Sequence, residues 1–186
     1  MKKVSLLIPA YNEEETIPLL YNELNKAVET ISGYEFEIFF VNDGSSDNTL
    51  NILRNLQQID SRVNYISFSR NFGKETAMAA GFDYVTGDAA VILDADLQDP
   101  PELIKEMIFH WEEGYDDVYA KRRSREGESW FKKFTSAAFY KVLQKMTKIP
   151  IQEDTGDFRL LDRRAIESLK KLREKQRYTK GMFSWI

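Results

Sequence analysis

The stretch AAVILDADLQD, residues 89–99, decides the fold. Its first five residues are apolar without interruption. That is the pattern of a strand buried on both faces, since a strand with one wet face alternates. The run stops at Asp94, Ala95 and Asp96. At a strand end, residues i and i+2 point the same way, so both carboxylates reach one place. A helix is expected next. Asp99 is a candidate N-cap, Pro100 fits the first helical position, and Glu102 stands where a capping-box acid would.

The same arrangement recurs on either side. Residues 4–8, 36–41 and 63–68 read as buried strands, and 118–120 as a weaker one. Between them Ile17, Leu20, Leu24, Val28 and Ile31 recur at helical spacing, as do Leu50, Leu53 and Leu56. This β-α-β-α order predicts an α/β fold, a mostly parallel sheet with helices on both faces. Ligands of such sheets bind beyond the carboxyl ends of the strands. Four polar clusters fall there: residues 9–13, 42–47, 69–74 and 94–99. After residue 120 the pattern loosens. A charged loop over 121–128 leads to a helical pattern over 129–148, in which aromatic residues lie among lysines. A polar turn (152–157), a short strand (158–161) and a helix (163–172) follow.

A chain of 186 residues suits a single domain, and 42% hydrophobic with 30% charged residues suits a globular one. The absence of cysteine excludes disulfides, thiolate metal sites and a cysteine nucleophile. No apolar run approaches the ~20 residues needed to cross a bilayer. Lys2, Lys3 and the apolar run after them resemble a short signal peptide. That run ends at Pro9 and meets three glutamates, so it reads as a first strand of an uncleaved, cytoplasmic protein. The net charge of −4 hides an asymmetry: 18 of the 26 Lys and Arg residues follow residue 120, against 8 of the 30 Asp and Glu. A basic third on an acidic protein fits an anionic partner, or simply a solvated helical surface. His110, the one histidine, sits between Phe109 and Trp111 and reads as structural. Ser45 and Ser46 lack a partner base and read as turn residues.

Asp94 and Asp96 repel each other unless a cation lies between them. Mg²⁺ or Mn²⁺ takes oxygen ligands and commonly joins carboxylate to diphosphate, and Gln98 adds an amide oxygen. Without its strand and helix, an Asp-x-Asp pair is only an acidic loop. Pro9 ends the first strand, and Tyr11 offers a ring on which a base can stack. Gly44 permits a tight turn and Asp47 caps the next helix. Asp43 either belongs to that turn or accepts a hydrogen bond from a nucleobase or ribose.

Taken in order and spacing, PAYNE (9–13), VNDGSSD (41–47), RNFGK (70–74) and DADLQDPPE (94–102) resemble family 2 glycosyltransferases of the GT-A fold. The likeness is nearest to the polyprenyl-phosphate sugar synthases, the dolichol-phosphate mannose synthases and bactoprenol glucosyltransferases. TGDFR (155–159), Arg177-Tyr178 and Lys180-Gly181 fit the same subgroup, and the resemblance covers essentially the whole chain. It implies a single catalytic domain. Residues 1–120 would bind the nucleotide sugar and 121–186 would form the acceptor side, ahead of membrane helices expected beyond residue 186.

By position, the resemblance assigns Pro9, Tyr11, Glu13, Asp43, Lys74, Asp94 and Ala95 to the donor. It assigns Asp96, Gln98 and Asp94 to a Mg²⁺ or Mn²⁺ ion, and Asp157, with Asp96, to catalysis. The expected reaction is inverting transfer of a sugar, with glucose from UDP-glucose favoured, to a polyprenyl phosphate. Arg122, Arg123, Arg159 and Arg177, with Arg125, would meet the acceptor phosphate, since guanidinium pairs well with phosphate oxygens. The aromatic and basic segment 130–148 would lie on an anionic membrane surface, at the cytoplasmic face, or its rings would pack on the sheet. No nucleic-acid motif is present, and a homo-oligomer is open. A hydroxyl acceptor on a polysaccharide or glycolipid is the first alternative, and a non-catalytic nucleotide-binding module the second. A nucleotidyltransferase would carry a Gly-rich basic loop where residues 9–13 stand, and a dinucleotide-binding dehydrogenase a G-x-G-x-x-G.

Overall fold

The computed structural model describes residues 1–121, 155–172 and 179–183. The elements run β1 (Lys2–Ala10), α1 (Thr16–Glu29), β2 (Tyr34–Asn42), α2 (Thr49–Ile59), β3 (Val63–Ser67), α3 (Lys74–Tyr84) and β4 (Ala89–Ile92). A 3-10 turn (Pro101–Leu103) then leads to α4 (Ile104–Glu112), β5 (Asp117–Lys121), β6 (Thr155–Asp162), α5 (Arg163–Lys171) and the short α6 (Thr179–Phe183). The strands form one sheet in the order β3-β2-β1-β4-β6-β5. β3, β2, β1 and β4 are parallel, and β6 runs antiparallel to both its neighbours. The expected α/β architecture is therefore present, with an antiparallel edge. The expected helix over 129–148 lies outside the described residues.

Alternation along β1 divides the core. Val4, Leu6 and Ile8 face one side, with Leu20 and Leu24 of α1, Leu53 of α2 and Met107 of α4. Leu7 faces the other, with Met78 of α3, Ile166 of α5 and Phe183 of α6. All four β1 residues are fully buried, because the central strands are covered on both faces. α1 buries Ile17, Leu20, Leu24 and Val28, one helical stripe.

In α3 hydrophobicity does not mark the buried face, because alanines fall on several sides of the helix. The helix buries Ala77, Met78, Gly81 and Phe82. A Cβ on Gly81 would stand 2.2 Å from a Leu7 methyl, so this helix lies close on β1 through small residues rather than large ones. The start of α4 also departs from expectation. The cap position is Pro100, with no side-chain cap bond, and the turn begins at Pro101. Asp99 instead accepts the Asp94 N–H at 3.1 Å, which folds the segment after β4 back on itself.

Between α2 and β3, Asp60 receives Arg62 in several hydrogen bonds and the Tyr21 hydroxyl at 2.8 Å. The bonds from Arg62 outweigh partial burial and hold its carboxyl down at about 2, against an ordinary 3.8. The sign follows from the depressed value. The stabilisation is in place above the ordinary value and is lost as pH falls toward about 2. Asp60→Asn is thus expected to lower stability at pH 7 and to match the unsubstituted protein near pH 2, measured by denaturant unfolding at both pH values.

Candidate active site

The carboxyl ends of β1, β2 and β4 surround a cavity of about 310 Å³. Pro9, Tyr11 and Glu13 line it from the segment after β1, Asp43 from that after β2, and Asp94, Ala95 and Asp96 from that after β4. Gly73 and Lys74 close it from the start of α3. All the residues expected at a nucleotide-sugar donor thus share one cavity with Asp96, whereas Gln98 is not among its lining residues.

Hydrogen bonds join the rim segments. Asn12, in a left-handed conformation (φ 56), donates its N–H to Ser45 Oγ and accepts the Ser46 N–H on Oδ1. Glu13 donates its N–H to Thr49 Oγ1, and its carboxylate accepts the Thr16 hydroxyl at 2.5 Å. Asp47 accepts the N–H groups of Thr49 and Glu14. The cap position of α2 is Asn48, one residue beyond the expected Asp47, but Asp47 still holds the first N–H of the helix and ties that start to the β1 segment.

Asp43 is 3% exposed, and its two oxygens accept the N–H groups of Phe72 (2.7 Å) and Gly73 (2.8 Å). It fixes the residues that lead into α3. Gly44 makes the approach possible: at φ 67 its ideal Cβ would lie 2.2 Å from the Arg70 backbone. Gly44→Ala is expected to cost more than about 1 kcal/mol, because both the conformation and the space are wrong for a side chain. Thermal melting checks it, together with weakened nucleotide binding.

Lys74, the first residue of α3, joins two carboxylates. Its Nζ lies 2.5 Å from Asp94 Oδ1 and 2.6 Å from Asp157 Oδ2. Asp157 stands on β6 and does not itself line the cavity; it meets the cavity through Lys74. Burial works against the lysine charge, but the bonds from Asp157 and Asp94 outweigh it and raise the Lys74 pKa. Asp96 Oδ1 accepts the Gln98 N–H at 3.0 Å across Leu97, which adopts φ 62. Burial raises the Asp99 pKa, with the Asp94 and Asp96 charges adding to it. Among the described residues no three carboxylate, imidazole or thiolate groups form a metal cage.

The model of the glycosyl transferase family 2 matches residues 5–170. The chain belongs to glycosyl transferase family 2. This family 2 chain is 48% identical over 184 residues to an uncharacterized glycosyltransferase of Synechocystis, covering 99% of this chain and 58% of that one. It is 45% identical over 184 residues to the bactoprenol glucosyl transferase of Shigella phage SfX, covering 99% and 60%. The chain thus spans a little over half the length of these curated relatives. The glucosyl-3-phosphoglycerate synthase of Mycobacterium tuberculosis has the same GT-A fold. It was solved with Mn²⁺, UDP and glucosyl-3-phosphoglycerate, and superposes with a TM-score of 0.57 at 20% identity, over 90% of this chain and 59% of that one.

One expected acceptor residue of the family 2 chain is placed otherwise. Arg159 is fully buried, bonds Asp117 Oδ2 at 2.8 Å, and lies 3.7 Å from the centre of the Phe183 ring and 5.6 Å from that of Tyr119. Alternation along β6 turns it to the same side as Asp157, but the guanidinium is enclosed and neutralised, so it offers no open phosphate site. Arg122, Arg123, Arg125 and Arg177 lie outside the described residues. The sequence reading missed Asn71, Gly73 and Ala77 in the cavity wall and the bond from Asp94 to Asp99. The motif RNFGK marked that segment; the apolar pattern of α3, which sets Ala77 in the wall, gave no signal.

Proposed function

We propose that this chain is the catalytic domain of an inverting glycosyltransferase that moves a sugar, glucose from UDP-glucose first, from a nucleotide diphosphate to a polyprenyl phosphate. The observation that carries the reading is the joining of Asp94 and Asp157 by Lys74 at the wall of a cavity bounded by Tyr11 and Asp43. One end of that cavity suits a nucleoside, through an aromatic ring and a buried acid. The other suits a diphosphate, through a cation between carboxylates. Family membership and the bactoprenol transferase relative support the reaction and the acceptor.

The residues present fit a divalent ion. Asp94, Asp96 and Gln98 offer only oxygen donors, and the Lys74 ammonium already marks Asp94 as a place for positive charge. An incomplete protein cage is what Mg²⁺ or Mn²⁺ has when substrate phosphates and water complete its shell. Such an ion would neutralise charge on a departing diphosphate. Tyr11 would stack on the base, and Asp43, by holding residues 72 and 73, would keep Lys74 beside the phosphates.

A lipid phosphate is largely ionised near neutral pH, its second pKa lying around ~6. Asp157 then orients the acceptor and the bound sugar; with a hydroxyl acceptor it would instead take the proton. The basic third of the chain would meet the acceptor phosphate and the cytoplasmic membrane face, with Arg122, Arg123 and Arg177 as ligands. Among the described residues no helix is long and apolar enough to cross a membrane.

The test is transfer of labelled glucose from UDP-glucose, with Mn²⁺, to undecaprenyl phosphate in detergent, beside a glycolipid hydroxyl acceptor. Label on the phosphate acceptor alone is expected. Label on the hydroxyl acceptor alone would replace the acceptor assignment.

A further inference from the structure

The Lys74 bridge has a consequence for the order in which ligands arrive, and it rests on the donor and metal reading above. Asp94 follows β4 and Asp157 lies on β6, two carboxylates that repel when left alone. The ammonium of Lys74 touches both, at 2.5 and 2.6 Å. These are short, charge-assisted contacts, and the Asp157 side chain is only 15% exposed. The root of the lysine is anchored as well. Gly73 caps α3, and the Phe72 and Gly73 N–H groups are held by Asp43, so Lys74 cannot leave by a simple shift of its backbone.

We infer that Lys74 is a resident counter-ion that keeps divalent metal out of the nucleotide-free site, so that metal enters with the nucleotide diphosphate rather than before it. A bare divalent ion approaching Asp94 meets an oxygen already held by Lys74 and a positive charge beside it. Either the ammonium gives up Asp94 with nothing in exchange, or two cations crowd one carboxylate. A diphosphate changes the balance, because its oxygens pair with both cations. Lysine has three N–H donors, and the two carboxylates account for two of them. Lys74 is thus a positioning residue that holds Asp94 and Asp157 together until the donor arrives.

The experiment is Mn²⁺ binding followed by electron paramagnetic resonance, with and without UDP, on the whole chain. Lys74→Met and Lys74→Gln are compared with Arg70→Met, which removes an exposed cation that lies over the Phe72 ring and does not line the cavity. Without nucleotide, both Lys74 variants are expected to bind Mn²⁺ at least ~10-fold more tightly than the unsubstituted protein, since they remove a cation in direct contact with the carboxylate. Arg70→Met is expected to leave binding unchanged, and UDP is expected to strengthen Mn²⁺ binding to the unsubstituted protein. Equal nucleotide-free affinity in the unsubstituted and Lys74 proteins would overturn the inference alone. So would an Arg70→Met effect as large as theirs, which would mean general charge and not the bridge. Failure of Mn²⁺ to bind any of these proteins even with UDP would overturn the metal reading and this inference together.

Discussion

Asp157→Asn is expected to lower the rate of sugar transfer by about 10²-fold and to leave nucleotide affinity largely intact, because misplacing a group at the reacting centre costs about that much. The substitution is isosteric. The asparagine amide keeps an oxygen for the Lys74 ammonium but loses the negative charge that fixes it, so Lys74 is left to Asp94 alone. Asp157 does not line the cavity, so donor binding is expected to survive the substitution while the geometry of transfer is not. Steady-state rates set against calorimetric affinity separate the two. The pH profile adds a sharper check. With a lipid phosphate acceptor, the loss of rate on the acid side near ~6 follows the acceptor's own second ionisation and persists in Asp157→Asn. A loss that disappears with the substitution would contradict the lipid phosphate acceptor. A rate within a few-fold of the unsubstituted protein would remove Asp157 from the reaction altogether.

The second large effect is on stability. Arg159→Met leaves the largely buried Asp117 carboxylate without its partner, and breaking a buried pair from one side costs about 3–5 kcal/mol. For a domain of this size that corresponds to a melting point lower by about 10 °C. The pair is under strain even when intact. Burial pushes the Asp117 pKa up and the Arg159 pKa down, and among the described residues Asp117 Oδ1, Arg159 Nε and Arg159 Nη2 find no hydrogen-bond partner. Replacing both residues, Asp117→Leu with Arg159→Met, is therefore expected to recover most of the loss, since apolar packing often equals or exceeds a buried ion pair. Thermal melts of the two single variants and the double variant read this directly. A single variant that melts with the unsubstituted protein would mean that the guanidinium is more hydrated than its full burial implies.

The parallel strands were legible because their burial on both faces leaves uninterrupted apolar runs, as in residues 89–93. α1 and α2 were legible because one wet face leaves a stripe. α3 was hidden because Gly81 and Ala77 bring it close to β1 by being small, and small residues carry no period. Asp99 was misplaced because an acid ahead of a Pro-rich helix start reads as a cap, and nothing local to it announces a bond back to Asp94. At the site, motif spacing indicated which segments meet. It did not indicate the partners across the sheet. Lys74 and Asp157 are far apart in the chain, and so are Arg159 and Asp117. Only the antiparallel turn of β6 beside β4 and β5 brings each pair together. That turn is also why an arginine that reads as a phosphate ligand is a core residue.

Metal-dependent nucleotide binding is tested most directly by calorimetric titration of the folded chain with UDP, GDP and CMP, in Mn²⁺ and then in EDTA. UDP is expected to bind in Mn²⁺, and chelation to abolish or greatly weaken the binding. A folded protein that binds none of the three nucleotides in Mn²⁺, or binds UDP equally well in EDTA, would contradict the donor site and its metal.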